Sequence, residues 1–340
     1  MTTTSSTGHG DDTGEGFGAR LAAGLSDRGY AAGWRLVRAL PEDTARRLFD
    51  RGGAWAARNG GPVQLRRNLA RVIGVAPEDV PDELISASMR SYARYWREAF
   101  RLPAMDHAEL AGSGRVVVEG IDNLDEALAQ GRGAIFVLPH SGNWDIAGVW
   151  LVQHYGSFAT VAERLKPESL FERFVAYRES LGFEVFPLTG GQQPPSAALA
   201  QRLRRNRIVC LMGERDLTGR GVAVTFFGER TWMPAGAAKL AIDTGAALLP
   251  VRAWFTVDAD GREGWGLRTE APLDVSGGIA ATTQLLADRF AAGIAEHPAD
   301  WHMLQPLWEA DLSEQRRARI AAEQARREGV IAEPGEDALS

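Results

Sequence analysis

The sequence predicts an α/β fold, with a mostly parallel central sheet, helices on both of its faces and a helical N-terminal region before it. Two observations predict this fold. The first hundred residues carry apolar side chains at helical spacing, and after Leu102 short apolar runs alternate with helical stretches. Strands separated by helices are joined by crossovers, so they form parallel sheets that are covered on both faces. The chain of 340 residues is 45% hydrophobic, enough to build such a core.

The N-terminal region is predicted to be helical after a short lead-in. Residues 1–18 are rich in Thr, Ser, Gly and Asp, so we expect them to be disordered. Helical periodicity runs from Leu21 to Leu40, a second helix begins at Pro41, and a third holds residues 81–100. The helical stretch 19–101 is rich in arginine and aromatic residues. It therefore has two compatible interpretations, a cap on the core and a membrane-contacting surface.

The α/β core is predicted at residues 102–312, so that residues 19–312 form one domain. The predicted strands are 116–119, 134–138, 158–162, 183–188, 208–212, 248–254 and 265–268. The predicted helices between them are 124–130, 146–154, 167–181, 196–206, 234–244 and 282–297. Residues 313–340 are expected to form a charged helix over 314–327 and then a loose tail.

Charge and cysteine content exclude several function classes. The net charge of −6 argues against general nucleic-acid binding. Residues 20–101 nevertheless hold 15 arginines against 9 acidic residues, a cationic front end that suits a membrane surface. The single cysteine, Cys210, excludes an internal disulfide and a cysteine-rich zinc site. With no long apolar run and no signal-peptide pattern, we expect the protein in the cytosol or on the cytosolic face of a membrane.

The most informative motif is a histidine directly after an apolar strand. Residues 134–145 read AIFVLPHSGNWD, so His140 follows Pro139 at the carboxyl end of a strand, where α/β proteins place their chemistry. A turn over residues 141–143 allows Asp145 to fold back to the ring. A carboxylate on one imidazole nitrogen makes the other a better base for a hydroxyl nucleophile, and N–H groups at the helix start suit an oxyanion. The alternative is a purely structural histidine satisfied by a nearby acid.

A second polar cluster follows the predicted strand 208–212. Glu214, Arg215 and Asp216 come directly after it, where charge is costly unless it is paired or functional. Glu214 is the better candidate partner for His140, and Arg215 is a candidate for contact with a phosphate or with Asp216. The alternative is an ordinary solvated loop with an internal ion pair.

These residues resemble successive blocks of the glycerolipid and lysophospholipid acyltransferase superfamily, namely His140-x4-Asp145, the run 213–216 and Leu249-Pro-Val251. More closely, the chain is similar to the bacterial lipid A biosynthesis acyltransferase family, in particular its actinobacterial branch, the phosphatidylinositol mannoside acyltransferases. The strings that carry this resemblance are HSGNWD at 140–145, AERLKPE at 162–168, RFVAYRESLG at 173–182 and DWHMLQ at 300–305. Asp145 in place of the glutamate usual in lipid A enzymes favours the mannoside branch.

The resemblance implies a glycerolipid-acyltransferase-like fold and the transfer of a long acyl chain. The chain, typically palmitoyl, would pass from acyl-CoA as co-substrate to a mannose hydroxyl of phosphatidylinositol mannosides, without a cofactor or metal. It also implies peripheral attachment to the cytoplasmic face of the plasma membrane. Carried over by position, His140 is the general base, Glu214 is its charge partner and Asp145 is the second member of the first block. Which acid bonds the ring directly stays open.

Other polar residues are weaker candidates. Arg164 and Lys166 follow a predicted strand and suit a phosphate of donor or acceptor, or a solvated loop. His302 is expected to be a core or groove histidine, and Trp232 with Met233, in a predicted loop, to meet lipid. Four arginines suit the nucleotide of coenzyme A or a plain basic helix end: Arg202, Arg204, Arg205 and Arg207.

Three other functions remain open from the sequence. The first is a related acyltransferase with another glycolipid or a lysophospholipid as acceptor. The second is an acyl-CoA thioesterase in which His140 activates water. The third is a catalytically silent lipid-binding protein, against which the intact His140, Asp145 and Glu214 argue.

Overall fold

A computed structural model describes residues 33–164, 168–191 and 193–327. The expected lead-in at 1–18 and the tail beyond residue 327 lie outside this part. The N-terminal helices are α1 (residues 33–39), α2 (Glu42–Ala56), α3 (Val63–Ile73), α4 (Asp82–Arg101) and α5 (His107–Gly112). The later helices are α6 (Asp122–Ala129), α7 (Trp144–Tyr155), α8 (Glu168–Ser180), α9 (Pro195–Arg204), α10 (Gly236–Thr244), α11 (Gly278–Glu296) and α12 (Glu314–Arg327).

Seven strands form the central sheet, in the order β1-β9-β8-β2-β5-β3-β4. They are β1 (Val116–Glu119), β2 (Ala134–Leu138), β3 (Ala159–Ala162), β4 (Glu184–Pro187), β5 (Ile208–Met212), β8 (Ala247–Val257) and β9 (Glu263–Thr269). Every neighbouring pair is parallel except β8 and β9, which form an antiparallel hairpin. The predicted α/β class with a mostly parallel sheet is confirmed.

Helices cover both faces of the sheet, so the molecule has two cores. In β2 every residue is buried, because a central strand is covered on both sides. Alternate side chains point to opposite faces: Phe136 and Leu138 join a core under α4 to α8, and Ile135 and Val137 join a core under α9 to α11. The strand ends that carry the polar motifs therefore emerge between two packed layers.

The sequence analysis missed a two-stranded hairpin of β6 (Val222–Phe226) and β7 (Glu229–Met233). Its turn holds Phe227 and Gly228 with φ of 48° and 78°, a tight turn whose glycine was the available signal. The expectation that Trp232 and Met233 meet lipid from a loop is wrong. Both lie in β7 and are buried, Met233 in the core under α9 to α11 and Trp232 against α12.

No helix in the described ranges combines the length and the apolar character that a membrane crossing requires.

Candidate active site

His140 and Glu214 lie side by side because their strands pair in register. Leu138 of β2 is opposite Met212 of β5, and each polar residue follows two positions later at the carboxyl edge of the sheet. One oxygen of Glu214, Oε1, accepts hydrogen bonds from the backbone N–H of His140 at 2.6 Å and from its Nδ1 at 2.7 Å. Glu214 is fully buried, whereas 30% of the His140 side chain is exposed.

The electrostatics of this pair define the free nitrogen of the ring. Burial opposes ionisation of Glu214, but the charge and the two hydrogen bonds of His140 outweigh it and lower the pKa of the carboxyl. An ionised carboxylate only accepts hydrogen bonds, so Nδ1 carries the proton and Nε2 presents a lone pair. The described residues give Nε2 no partner. The pair is therefore equipped to remove a proton from a hydroxyl group.

The loop after His140 is held in one shape by its backbone. Gly142 has φ of 58°, and a Cβ there would lie 2.7 Å from the carbonyl carbon of Ala253, so only glycine fits. Its N–H donates to the carbonyl of Asp300 at 2.9 Å, and the N–H of His302 donates to the carbonyl of His140 at 2.8 Å. The segment after α11 thus runs antiparallel to the loop after His140 and holds it in place.

Asn143 starts α7 and ties it to a buried acid that the sequence analysis missed. Its side-chain oxygen caps the helix by accepting from the N–H groups of Asp145 and Ile146. Its amide nitrogen donates to Glu98 of α4 at 2.7 Å, and the indole N–H of Trp265 donates to the same Glu98 oxygen. Glu98 sits in an arginine-rich helix and looks like a surface residue in the sequence, so no local pattern marks it.

Asp145 does not bond His140; its partners come from two other helices. Its carboxylate accepts from the hydroxyl of Tyr95 on α4 at 3.1 Å, and from the hydroxyl of Tyr177 and Nε of Arg178 on α8, both at 3.4 Å. Burial first, and then the Asp145 charge, raise the pKa of both tyrosines. The question left open by the sequence is therefore answered: Glu214 bonds the ring, and Asp145 joins α4, α7 and α8.

His302 is a second histidine close to the first. Its Nε2 lies 2.9 Å from the hydroxyl of Ser91, and Trp144 packs between the two histidines with ring centroids 5.3 Å from His140 and 6.1 Å from His302. Burial, with a smaller contribution from the charge of His140, lowers the pKa of His302 to about 3. The ring is therefore neutral at physiological pH, consistent with a core histidine.

An apolar cavity of about 80 Å³ lies between α7 and the sheet, next to the start of α7 at Trp144. It is lined by side chains of β2, β5 and α7, among them Phe136, Leu138, Trp144, Leu151 and Met212. A Cβ on Gly148 of α7 would lie 2.4 Å from the ring of Phe183, so the glycine lets α7 approach this closely. The apolar lining of the cavity suits an apolar chain.

A larger cavity of about 700 Å³ lies near the carboxyl ends of β3 and β5. Strands β3 and β5 pair at only two positions, ending at Thr160 and Cys210, so the sheet opens beyond them. Val161, Leu211 and Met212 at this opening border both cavities. The basic side chains of the larger cavity are Arg204, Arg215, Arg220 and Lys239.

The remaining predicted site residues are more dispersed. Arg215 lines the larger cavity, and no ion pair of it is found in the described part of the chain. Asp216 is buried and accepts from the N–H groups of Thr218 and Gly221, so it shapes its own loop and does not pair with Arg215. Arg164 is exposed and forms an ion pair with Glu168 at 2.8 Å. Lys166 lies outside the described residues.

Comparison with known proteins places the whole α/β region in one family. Residues 27–310 match the model of the bacterial lipid A biosynthesis acyltransferases. The chain is 66% identical over 301 residues to a phosphatidylinositol mannoside acyltransferase of Mycolicibacterium smegmatis, covering 88% of this chain and 97% of that protein. It is 63% identical over 296 residues to a protein of the same name from Mycobacterium tuberculosis, covering 87% and 92%.

Proposed function

The chain belongs to the bacterial lipid A biosynthesis acyltransferase family and is an acyltransferase, and from this premise we propose that it moves a long acyl group, palmitoyl, from acyl-CoA to a mannose hydroxyl of phosphatidylinositol mannosides. The observation that carries the proposal is the His140–Glu214 pair, with Nε2 of the ring free, beside an apolar cavity. The acceptor rests on the names of two relatives that align over at least 92% of their length.

In the proposed reaction His140 is the general base. Its Nε2 takes the proton of the mannose hydroxyl as the oxygen attacks the thioester carbonyl carbon. The tetrahedral intermediate then collapses, the carbon–sulfur bond breaks, and the coenzyme A sulfur takes the proton back from the imidazolium. Glu214 stabilises the imidazolium that forms between these two steps, since its charge is buried and directly bonded to Nδ1.

Two backbone amides are available for the oxyanion of the intermediate. At the start of α7 the amides of Asp145 and Ile146 are bonded to the Asn143 side chain, and that of Gly142 to Asp300. Within the described residues this leaves the N–H groups of Asn143 and Trp144, at the positive end of the α7 dipole. We assign the oxyanion to them.

The donor would occupy both cavities, with its thioester at their shared edge. The apolar cavity of about 80 Å³ takes part of the acyl chain, because burying methylene groups there is favourable at about 0.8 kcal/mol each. The larger cavity, with Arg215 on its wall, takes the phosphates of coenzyme A. Arg164 and Lys166 remain proposed phosphate contacts. To bind a phosphate, Arg164 would break its ion pair with Glu168. Asp145 and Asp216 act as positioning residues, the first for α7 and the second for the Arg215 loop.

We place the N-terminal helices against the cytoplasmic face of the plasma membrane. Nine large apolar side chains stand exposed among the described residues, and four of them fall within residues 36–63: Leu36, Leu48, Trp55 and Val63. Trp55 is 68% exposed. Apolar side chains among arginines are typical of helices that lie in a membrane interface.

Vesicle binding tests this placement. We expect the protein to bind phosphatidylcholine vesicles containing phosphatidylinositol at low salt, and expect Leu48→Ser with Trp55→Ser to weaken binding roughly tenfold. Val257→Ser, at another exposed apolar side chain, is the control and leaves binding unchanged. Equal binding by all three proteins, or none by the wild type, would remove the membrane from the proposal.

One incubation tests the reaction itself. The protein is mixed with palmitoyl-CoA and a phosphatidylinositol mannoside, and the lipid is analysed by mass spectrometry. We expect one palmitoyl group on the glycolipid, and a loss of roughly 10³-fold in rate for His140→Gln. Glutamine keeps a donor for the buried Glu214 but supplies no base. His154→Gln, on the exposed side of the same α7, serves as the matched control and retains full activity.

The alternatives give different products. Coenzyme A release with free palmitate and no acylated glycolipid identifies a thioesterase. Acyl transfer to a lysophospholipid or another glycolipid, but not to the mannoside, would show that the proposed acceptor is wrong and would keep His140 as the proposed base. No thioester consumption by the wild type would sink the catalytic proposal.

A further inference from the structure

A third cavity, of about 350 Å³, lies outside the site described above, between α2, α4 and the end of the β8–β9 hairpin. Its lining is dominated by five arginines from the two helices: Arg46, Arg47, Arg90, Arg94 and Arg97. Three acidic residues accompany them: Asp50, Glu263 and Asp300. Five guanidinium groups around one cavity are costly in free energy unless anions balance them.

The two inner arginines are balanced within the protein. Arg94 forms an ion pair with Glu98 at 2.7 Å, and Arg97 forms one with Glu263 at 2.5 Å. All four side chains are largely buried. The Arg97–Glu263 pair joins α4 to the hairpin, whereas the Arg94–Glu98 pair lies within α4, and both arginines line the inner end of the cavity.

The three outer arginines are not balanced in this way. Arg90 is 3.5 Å from Asp50, and both side chains are about half exposed, an arrangement that contributes little free energy. Arg46 has only the exposed Asp43, on its own helix. Arg47 has no ion pair or hydrogen bond of its side chain among the residues that the structure describes. These groups are available to an incoming anion.

The third acid, Asp300, forms no ion pair with them in the described part of the chain. Its two carboxylate oxygens already accept from the hydroxyl of Ser91 at 2.7 Å and from the N–H of Phe255 at 2.9 Å. Burial raises the pKa of Asp300, in spite of these bonds. At the mouth of the cavity three arginines are therefore accompanied by two exposed acids, Asp43 and Asp50, which leaves one positive charge on planar groups that bind phosphate oxygens in pairs.

We propose that this cavity binds the phosphodiester of the acceptor glycolipid, an inference that rests on the proposed function. In a phosphatidylinositol mannoside the phosphodiester joins inositol to glycerol, so one sugar ring and the inositol ring separate it from the reacting hydroxyl. The acceptor is thereby held at two points, its mannose at His140 and its phosphate among Arg46, Arg47 and Arg90.

The cavity lies at a suitable distance from the catalytic loop, since the two share a wall. The carbonyl of Asp300 accepts from the N–H of Gly142, two residues after His140. The backbone of Ala253 lies against Gly142. Phe255 is two residues further along the same strand, and this separates the two residues by about 7 Å. One headgroup that passes over the rim of this wall can therefore place its reacting hydroxyl at His140 and its phosphodiester among the arginines.

The depth of the cavity also suits a lipid. On α2 the cavity residues Arg46 and Asp50 are four positions apart and share one face, while Leu48 and Trp55 point to the opposite face. With that outer face on the bilayer, the cavity lies one helix diameter, about 10 Å, from the lipid surface. A headgroup whose acyl chains stay in the bilayer can reach it around the helix.

Titration with a soluble headgroup tests the cavity without turnover. Glycerophosphoinositol carries the phosphodiester but no acyl chains, so its binding is independent of the membrane. We expect Arg47→Gln with Arg90→Gln to weaken its binding at least tenfold in calorimetry. The control, Arg132→Gln with Arg317→Gln, removes two exposed charges elsewhere and changes nothing. Unchanged affinity in the Arg47/Arg90 variant, or no binding by the wild type, overturns the proposal.

Kinetics separate this inference from the proposed function. With a phosphatidylinositol mannoside, the Arg47/Arg90 variant is expected to raise the acceptor KM about tenfold at nearly unchanged kcat, whereas an alkyl mannoside without phosphate shows no change. A raised KM for palmitoyl-CoA instead assigns the cavity to the donor. Equal wild-type KM for both acceptors overturns the phosphate site and leaves the function intact. If neither acceptor is acylated, the function fails, and the titration alone decides the cavity.

Discussion

Glu214 and Asp145 are two buried carboxylates near the same histidine, and they occupy different settings. Glu214 follows the carboxyl end of β5, and both of its described hydrogen bonds come from His140. Asp145 lies in the first turn of α7, and its partners are two tyrosines and an arginine of neighbouring helices. The first acid bonds the His140 ring, whereas the second bonds to two neighbouring helices.

Strand register, not closeness in sequence, decides which acid meets the ring. Asp145 is five residues from His140, but the helix that begins at Trp144 carries it away from the ring. Glu214 is 74 residues away, yet the pairing of Leu138 with Met212 places it beside the ring. The short motif therefore contains one residue of the His140–Glu214 pair and one residue that bonds to neighbouring helices.

Replacing Glu214 gives the largest expected effect on this contrast. In Glu214→Gln the amide oxygen still accepts from both N–H groups of His140, so the tautomer is retained and only the charge is lost. We expect acyl transfer to slow roughly 10²-fold, because the imidazolium formed in the reaction loses its buried counter-charge. The rate with palmitoyl-CoA at saturating acceptor measures it.

A matched control is Asp311→Asn, which alters another largely buried acid, one that pairs with Arg71 at 2.7 Å and does not touch His140. We expect it to keep the rate within a few-fold once the folded fraction is equal, which circular dichroism establishes. If Glu214→Gln were as active as the wild type, Glu214 would be a structural acid like Asp145 and the contrast would disappear.

The sequence could predict the candidate site at the carboxyl edge of the sheet, because two strong local patterns mark the strands that end there. Each of β2 and β5 is an apolar run followed at once by polar residues, and a parallel sheet brings such ends together. Which acid bonds His140 depends on the register of β2 with β5 and on the direction of α7. Neither can be read from the short segment between His140 and Asp145. Glu98 and the cavity arginines were missed for the same reason, since contacts between α4 and distant strands define them.

One N-terminal helix and the β6–β7 hairpin show how far the sequence pattern predicts secondary structure. The helix from Asp82 to Arg101 was predicted almost to its ends, because its apolar spacing is regular. The hairpin of β6 and β7 has only five residues in each strand and a Phe-Gly turn, so its pattern resembles a loop. Trp232 looked exposed in the sequence because α12, which covers it, is remote along the chain.

Replacing Asp145 is expected to affect stability more than rate. Asp145→Asn keeps acceptors for the two tyrosine hydroxyls but removes the counter-charge of Arg178. We expect the free energy of unfolding to fall by about 2 kcal/mol, less than the roughly 3–5 kcal/mol typical for breaking a buried pair, because the Arg178 side chain is still 22% exposed. Urea denaturation measures this loss.

The rate of the folded Asp145→Asn variant should stay within about tenfold of the wild type, since no atom of Asp145 touches the ring. The control is Asp125→Asn, which alters an exposed aspartate bonded to the hydroxyl of Tyr155 and should change stability by no more than about 0.5 kcal/mol. An unaltered stability with a rate loss as large as that of Glu214→Gln would give both acids the same role.

His302, beside the same site, extends the comparison to a buried group without charge, and its expected effect is confined to acidic pH. Its pKa is lowered from 6.5 to about 3 in the folded protein, so between these pH values the unfolded chain binds a proton that the folded chain does not. Stability therefore decreases as pH falls through this window, by at most about 1.4 kcal/mol per pH unit for one proton.

His302→Gln can still bond Ser91 but cannot titrate, so its free energy of unfolding should fall less steeply between pH 6 and pH 4, measured by urea denaturation at a series of pH values. His154→Gln, at an exposed ring, should leave the slope as in the wild type. Parallel slopes for wild type and His302→Gln would mean that His302 takes up its proton in the folded state. The pocket around His302 would then tolerate a positive charge, and burial would no longer make it a neutral core histidine beside the His140–Glu214 pair.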